Sequence, residues 1–324
     1  MSIKRLYIIG NGFDMHHDIE SSYKKFKEWL EANQDKYNAL YLIENHFHID
    51  SEFWCDFENN LSKFNVADFS EMEAREYYPD FSSDHFAREI DAAAYQSGLD
   101  FEMITKEIQT AFQDWIHDLN QPDYNKKIIL NKKDSYFINF NYTKTLENLY
   151  RIPSANICHI HGCVDSDEAF ILGHGNVISA NKARAAYPKL PNDCETKEQI
   201  EAFYQDNYDP IYDDVVETTV HHVNTLLRKD VEGIIANNFY TFERLCNLEE
   251  IHIYGWAFSS VDIPYLIEII KRNDTSKLKW FISWFNEKDK ENAISFLDTY
   301  NIDSSLINFI RLTELMDQGQ LTLF

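Results

Sequence analysis

The sequence predicts an α/β protein built on a mainly parallel sheet, and three observations carry that prediction. Short apolar runs rich in β-branched and aromatic residues alternate with segments of helical periodicity. The first run, Leu6-Tyr-Ile-Ile9, passes through Gly10-Asn-Gly12 into a helical pattern, the order strand, tight turn, helix. Four of the runs end in glycine or polar side chains, and parallel sheets bind ligands beyond the carboxyl ends of their strands.

Taken in order, the first long helix is expected from about Ser21 to Ala32, with Tyr23, Phe26 and Leu30 at steps of three and four and a short helical turn before it. From about Gln34 to Asp134 the pattern is helical, acidic and aromatic. Phe53, Trp54, Phe57 and Leu61 share one helix face, and Ile104, Ile108, Ala111, Phe112, Trp115, Ile116 and Leu119 share another. That length exceeds what a crossover between parallel strands needs. The expectation is therefore one domain with its α/β core at 1–33 and 134–324 and a helical insertion at about 34–133.

Strands are then expected at Ser135–Asn141, Ile157–His161, Ala169–Gly173, Glu250–Tyr254, Leu278–Ser283 and Ile307–Arg311. Residues 176 to 220 read as loop, with Pro188, Pro191 and Pro210. A long helix carries Val223, Leu227, Val231 and Ile234.

A hydrophobic fraction of 44% with 15% aromatics is that of a globular chain, and 324 residues can bury a large core. There is no 18-residue apolar run and no charged-then-apolar leader, so a soluble, unexported protein with no membrane partner is expected. The five cysteines form no C-x-x-C pair, which disfavours a disulfide framework or zinc ribbon and fits a reducing cytoplasm. The net charge of −24 opposes nucleic-acid binding, whose affinity rests on cations meeting phosphates. A small anion is still compatible, held at a helix start inside a cleft.

The candidate site lies on the four polar strand ends. The first offers Gly10, Asn11, Gly12 and Asp14, with His17 one turn on; the second offers Asn139, Asn141 and Tyr142; the third His159, His161 and Gly162; the fourth Gly255 and Asp262. Alternation puts His159 and His161 on one face of their strand, and His161 stands nearer the carboxyl end. Both are equally readable as ordinary strand histidines, and the asparagines as turn residues. Glu58 on the helical insertion and His174 in Gly173-His-Gly175 stay unassigned. A metal-dependent hydrolase using His159, His161, His174 and Asp262 lacks any close ligand spacing such as H-E-x-x-H, so no metal is expected.

Several motifs together resemble the abortive-infection AbiH family of bacterial phage-defence proteins. They are Ile8-Ile-Gly-Asn-Gly-Phe-Asp14-x-x-His17, Trp54-x-x-Phe57-Glu58, Phe140-Asn-Tyr-Thr-x-Thr-Leu-Glu147, Ile160-His-Gly162 and Tyr254-Gly-x-x-x-x-x-x-Asp262-x-Pro-Tyr265. Asp18 stands where that family usually has glycine, and Trp256 where histidine is common. The family is in turn similar in layout to sirtuin-like, Rossmann-like domains. That comparison implies Gly10 and Gly12 for the phosphate turn, Asn141 as catalytic asparagine and His161 as catalytic histidine. Thr143 departs from the aspartate of the sirtuin-like pattern, Asn11 replaces a small residue, and the four-cysteine zinc site is missing. The resemblance implies NAD or a related nucleotide as substrate, cleaved at its nicotinamide–ribose bond, with no further cofactor. A homo-oligomer or a phage-derived trigger is the partner it leaves open, and a nucleotide-sensing module without turnover is the alternative activity.

Overall fold

Six strands form one parallel sheet in the computed structural model, which describes residues 2–78, 86–166, 170–185, 196–206 and 208–316. Along the chain, β1 (Arg5–Ile9) is followed by α1 (Asn11–His16), α2 (Tyr23–Ala32), α3 (Ala39–His46), α4 (Phe57–Asn60), α5 (Val66–Glu76) and α6 (Phe86–Asp118). Then come β2 (Ser135–Asn139), α7 (Thr145–Asn148), β3 (Ile157–His159), α8 (Ala180–Arg184), α9 (Lys197–Asp206) and α10 (Pro210–Leu226). The chain continues with α11 (Val231–Asn237), α12 (Phe239–Arg244), β4 (Glu250–Tyr254), α13 (Ile263–Ile270), β5 (Lys279–Ser283), α14 (Glu287–Thr299) and β6 (Ile307–Ile310). The strand order is β3-β2-β1-β4-β5-β6, and every pairing is parallel. The order therefore reverses between β1 and β4.

The chain divides into two compact units. The first comprises Met1–Phe26, Phe112–Ile171 and Asp230–Phe324 and holds the sheet. Alternation along β1 serves two apolar layers, because both faces of a parallel sheet are buried. Leu6 and Ile8 join Ile138, Ile251, Ile253, Trp280 and Leu266 on one side. Tyr7 and Ile9 join Phe137, Leu146, Tyr150 and Tyr254 on the other. On that second side Phe137, Tyr7, His252 and Phe281 stack ring on ring across β2, β1, β4 and β5, with centroids 4.8, 4.5 and 4.6 Å apart and planes within 18°. Strand register places these four residues opposite one another.

The second unit, Lys27–Ala111 and Leu172–Lys229, is helical. Its interior is packed with rings: Phe64 meets Phe47, Phe69 and Phe101 at 4.8 to 5.3 Å. Ser70 on α5 donates to the Thr219 hydroxyl on α10 at 3.4 Å. Glu58 and the fully buried Lys229 form an ion pair. Breaking such a pair from one side strands a buried charge.

The strands at 135, 157, 250, 278 and 307 form where expected, although β2 ends at Asn139 and β3 at His159. Four expectations are corrected. The strand expected at Ala169–Gly173 is not formed: Ala169 lies outside the described residues, and 170–173 are irregular, their backbone engaged by loops, as when Ile171 N donates to His161 O. The loop expected at 176–220 contains α8, α9 and the start of α10. Asp209 caps α10 through the Ile211 and Tyr212 N–H groups, with Pro210 in the first turn, so a proline that reads as a breaker is a helix start. Pro188 and Pro191 lie outside the described residues. The helix expected through Val223–Ile234 is two, because Asp230 caps α11 through Gly233 N–H. The single helix expected around Phe53–Leu61 is broken into 3-10 turns flanking α4.

Candidate functional site

β1 stops at Gly10 because the backbone of the β4 end lies against it. A Cβ on Gly10 would stand 2.6 Å from Gly255 O, and one on Gly12 2.9 Å from Gly255 Cα. Gly10 N donates to Tyr254 O at 3.0 Å and Gly12 N to Gly255 O at 2.8 Å. Gly255 adopts φ +65° and is fixed from β5 by the Ser283 hydroxyl at 2.8 Å. The Gly-x-Gly turn is thus a backbone-to-backbone seam at the point where strand order reverses. Asn11 is tied to the next loop, its amide donating to Ser21 O at 2.8 Å and its Oδ1 accepting from the Ser21 hydroxyl at 2.5 Å.

Behind the seam lies a buried polar set. Asp14, 1% exposed, accepts from Thr143 Oγ1 at 2.5 Å and from Thr145 Oγ1 at 2.8 Å, with a further hydrogen bond from Asn141. Asn141 is buried and donates to Gly10 O at 3.1 Å. Its own N–H donates to Asn139 Oδ1 at 3.2 Å. Burial outweighs these donors and pushes the Asp14 carboxyl up to about 6.

Asp14 therefore holds its proton more tightly in the folded than in the unfolded chain. Its stabilising contribution is full below pH 3.8, the ordinary value, and is lost as pH rises through about 6. The difference in unfolding free energy between wild type and Asp14→Asn is expected to fall by about 2–3 kcal/mol across that interval. Denaturant titrations at a series of pH values check this, and a pH-independent difference contradicts it.

The third and fourth strand ends meet at His161. Its Nε2 is 3.7 Å from Asp262 Oδ1 and 3.4 Å from the Tyr265 hydroxyl, and its ring packs edge-on to Phe140 at 5.2 Å. Because β3 ends before it, His161 does not share a face with His159 as alternation suggests. His159 turns instead to Glu147 Oε1 at 2.8 Å and to the Asn139 amide at 3.3 Å. Gly162 follows in a turn with N–H to His159 O.

Other candidates are held elsewhere. His17 is fully buried: Nδ1 meets Phe13 O at 2.7 Å and Nε2 the Tyr150 hydroxyl at 2.6 Å. A carbonyl only accepts, so Nδ1 carries the proton, and burial lowers this histidine to about 4. Both ring nitrogens are committed to packing. Tyr142 donates its hydroxyl to Ile171 O at 3.0 Å and packs on Phe170 and Phe112. Glu58 and His174 belong to the other unit. Asp18 has φ +57°, a conformation natural to glycine and open to aspartate, and its carboxylate meets Lys126 at 2.5 Å. That accounts for an aspartate standing at a glycine-type position. Thr143, Thr145, Asn139, His159 and Glu147 complete the network. For all but His159 the signal lay in the polar density of Asn139–Glu147, at and just past the end of β2.

Among the described residues no group of three or more His, Cys, Asp or Glu is arranged to hold a metal ion, and no helix is long and apolar enough to cross a membrane.

The structure thus defines a protein with a parallel α/β sheet whose polar carboxyl rim gathers one carboxylate, one amide and one histidine–aspartate pair from four strand ends. The chain belongs to the bacteriophage abortive infection AbiH family, whose model matches residues 6–284. No curated protein and no solved structure matches it.

Proposed function

We propose that the protein serves antiphage defence as a nucleotide hydrolase, cleaving the nicotinamide–ribose bond of NAD or a related nucleotide at the carboxyl rim of the sheet. Family membership supports the defence role. The chemistry rests on one observation: Asp14, Asn141, His161 and Asp262 come from four adjacent strand ends around the reversal in strand order. The order β3-β2-β1-β4-β5-β6 is also that of dinucleotide-binding doubly wound sheets, which take their ligand at such a reversal. The likeness in layout to sirtuin-like domains points the same way.

In the proposed step water adds to C1′ of the ribose as the C1′–N bond breaks. Its electron pair leaves on nicotinamide nitrogen, and the water proton passes to His161. Asp262 faces the imidazolium that forms, and Asn141 orients the water and the ribose hydroxyls around a centre of oxocarbenium character. The products are nicotinamide and ADP-ribose.

Incubation with NAD is expected to release nicotinamide, measured by chromatography, and Asn141→Ala is expected to lower that rate at least about 100-fold. The second reading, a nucleotide-sensing module without turnover, is favoured by the internal satisfaction of Asp14 and Asn141. NAD binding by calorimetry with no product selects it. Neither binding nor release overturns both.

A further inference from the structure

We infer that Glu147 is a ligand-binding carboxylate of this rim and receives the hydroxyl groups of a ribose. The inference rests on the proposed nucleotide reading and names the sugar as the part of the ligand that this group recognises.

The side chain is anchored through one oxygen only. Glu147 Oε1 lies 2.8 Å from His159 Nε2, and the two side chains are 16% and 13% exposed. The state of His159 follows from its other neighbour. The Asn139 amide nitrogen stands 3.3 Å from His159 Nδ1 and also donates to Thr143 O at 3.3 Å. Asn139 Oδ1 accepts from Asn141 N at 3.2 Å, which fixes which way the amide points. An amide NH₂ only donates, so Nδ1 is the acceptor and Nε2 carries the hydrogen that goes to Glu147. His159 thereby donates through Nε2 and fixes the Glu147 side chain in place.

The second oxygen has no such commitment. Glu147 Oε2 is enclosed by protein and has no hydrogen-bond partner among the described residues. A buried acceptor left in that state costs free energy, and unsatisfied buried groups in native proteins call for an explanation in function or in a bound species. The position favours a ligand. Glu147 lies on α7, eight residues past the end of β2, and β2 is the neighbour of β1 on the side away from β4. The hydrogen bonds Glu147–His159–Asn139–Asn141 run from it without a break to the residue assigned to the water and ribose.

Chemistry narrows the ligand class. A phosphate is disfavoured, because a carboxylate without a neighbouring cation repels it. A metal ion lacks a third ligand among the described residues. A neutral hydroxyl donor suits the group, and the vicinal hydroxyls of a ribose offer two.

The test uses the full-length protein, with ADP-ribose and its analogue lacking the 2′-hydroxyls as probes, and Glu147→Gln as the variant. Glutamine keeps an oxygen for His159 but presents an amide where the second carboxylate oxygen stood. Wild type is expected to bind ADP-ribose at least about 10-fold more tightly than the deoxy analogue, by calorimetry. Glu147→Gln is expected to lose that discrimination while keeping its melting temperature and its affinity for the deoxy analogue. The inference is overturned if wild type binds both probes and the variant discriminates between them as wild type does. It is also overturned if wild type binds both equally. Binding of neither probe by wild type overturns the nucleotide reading together with the inference, so the two failures are distinguishable. Asn139→Asp serves as a second variant: it reverses the hydrogen-bond sense at His159 Nδ1 and is expected to weaken ADP-ribose binding by disturbing the anchor.

Discussion

Gly255→Ala is expected to destabilise the protein by about 2–5 kcal/mol, the sum of a left-handed backbone penalty and an overpacked contact. Gly255 has φ +65°, and a Cβ there would stand 2.0 Å from Phe13 N and 2.4 Å from Gly12 C. Those atoms belong to the backbone of the first turn of α1, which is fixed by the Gly12-to-Gly255 hydrogen bond and cannot swing aside as a side chain can. Thermal unfolding followed by circular dichroism is expected to show a melting temperature lower by about 10 °C, or an insoluble protein. Gly98→Ala provides the contrast, since its Cβ would meet a side chain, the His222 ring at 3.0 Å, and its backbone carries no positive φ. Equal melting of wild type and Gly255→Ala would show that the seam is not tight.

His161→Gln is expected to lower nicotinamide release by about 10²–10⁴-fold, the usual contribution of a positioned acid–base group. Glutamine retains hydrogen-bonding capacity toward Asp262 and Tyr265, which surround the imidazole at 3.7 and 3.4 Å. It does not titrate, so the loss belongs in kcat, with NAD affinity by calorimetry little changed. The variant is expected to melt within a few degrees of wild type because its ring-sized site against Phe140 is still filled. Robust turnover by a folded His161→Gln protein would remove this residue from the mechanism.

The sheet was legible because its signals are local. Apolar runs such as Glu250–Tyr254 and Lys279–Ser283 contain their own evidence, and each forms a strand. The Gly10–Gly12 turn was recognisable as a strand-to-helix connection, but the N–H groups of Gly10 and Gly12 are committed to the Tyr254 and Gly255 carbonyls, which only tertiary pairing decides. His17 and His161 look alike in sequence. One is sealed between Phe13 and Tyr150, whereas the other faces Asp262, a difference made by Tyr150 and Asp262, each more than 100 positions from its histidine. The helices between 180 and 226 were hidden because a proline at a helix start and one in a loop look the same until the capping aspartate is seen to bond. Glu147 stood in a motif without a role, since nothing in its neighbours along the chain tells that His159 takes one oxygen and leaves the other.

The row of four stacked rings, Phe137, Tyr7, His252 and Phe281, passes directly over the β1–β4 junction. Mechanically it acts as a rivet: parting the two strands means unstacking Tyr7 from His252 while breaking the ladder beneath them. The sheet is in consequence a stiff anvil, and any widening of the rim to admit a ligand falls to the segments beyond the strand ends, Asn141–Thr145 and Trp256–Asp262. Under the proposed function, motion on ligand entry should be concentrated in those two segments, with the strands that carry them standing still.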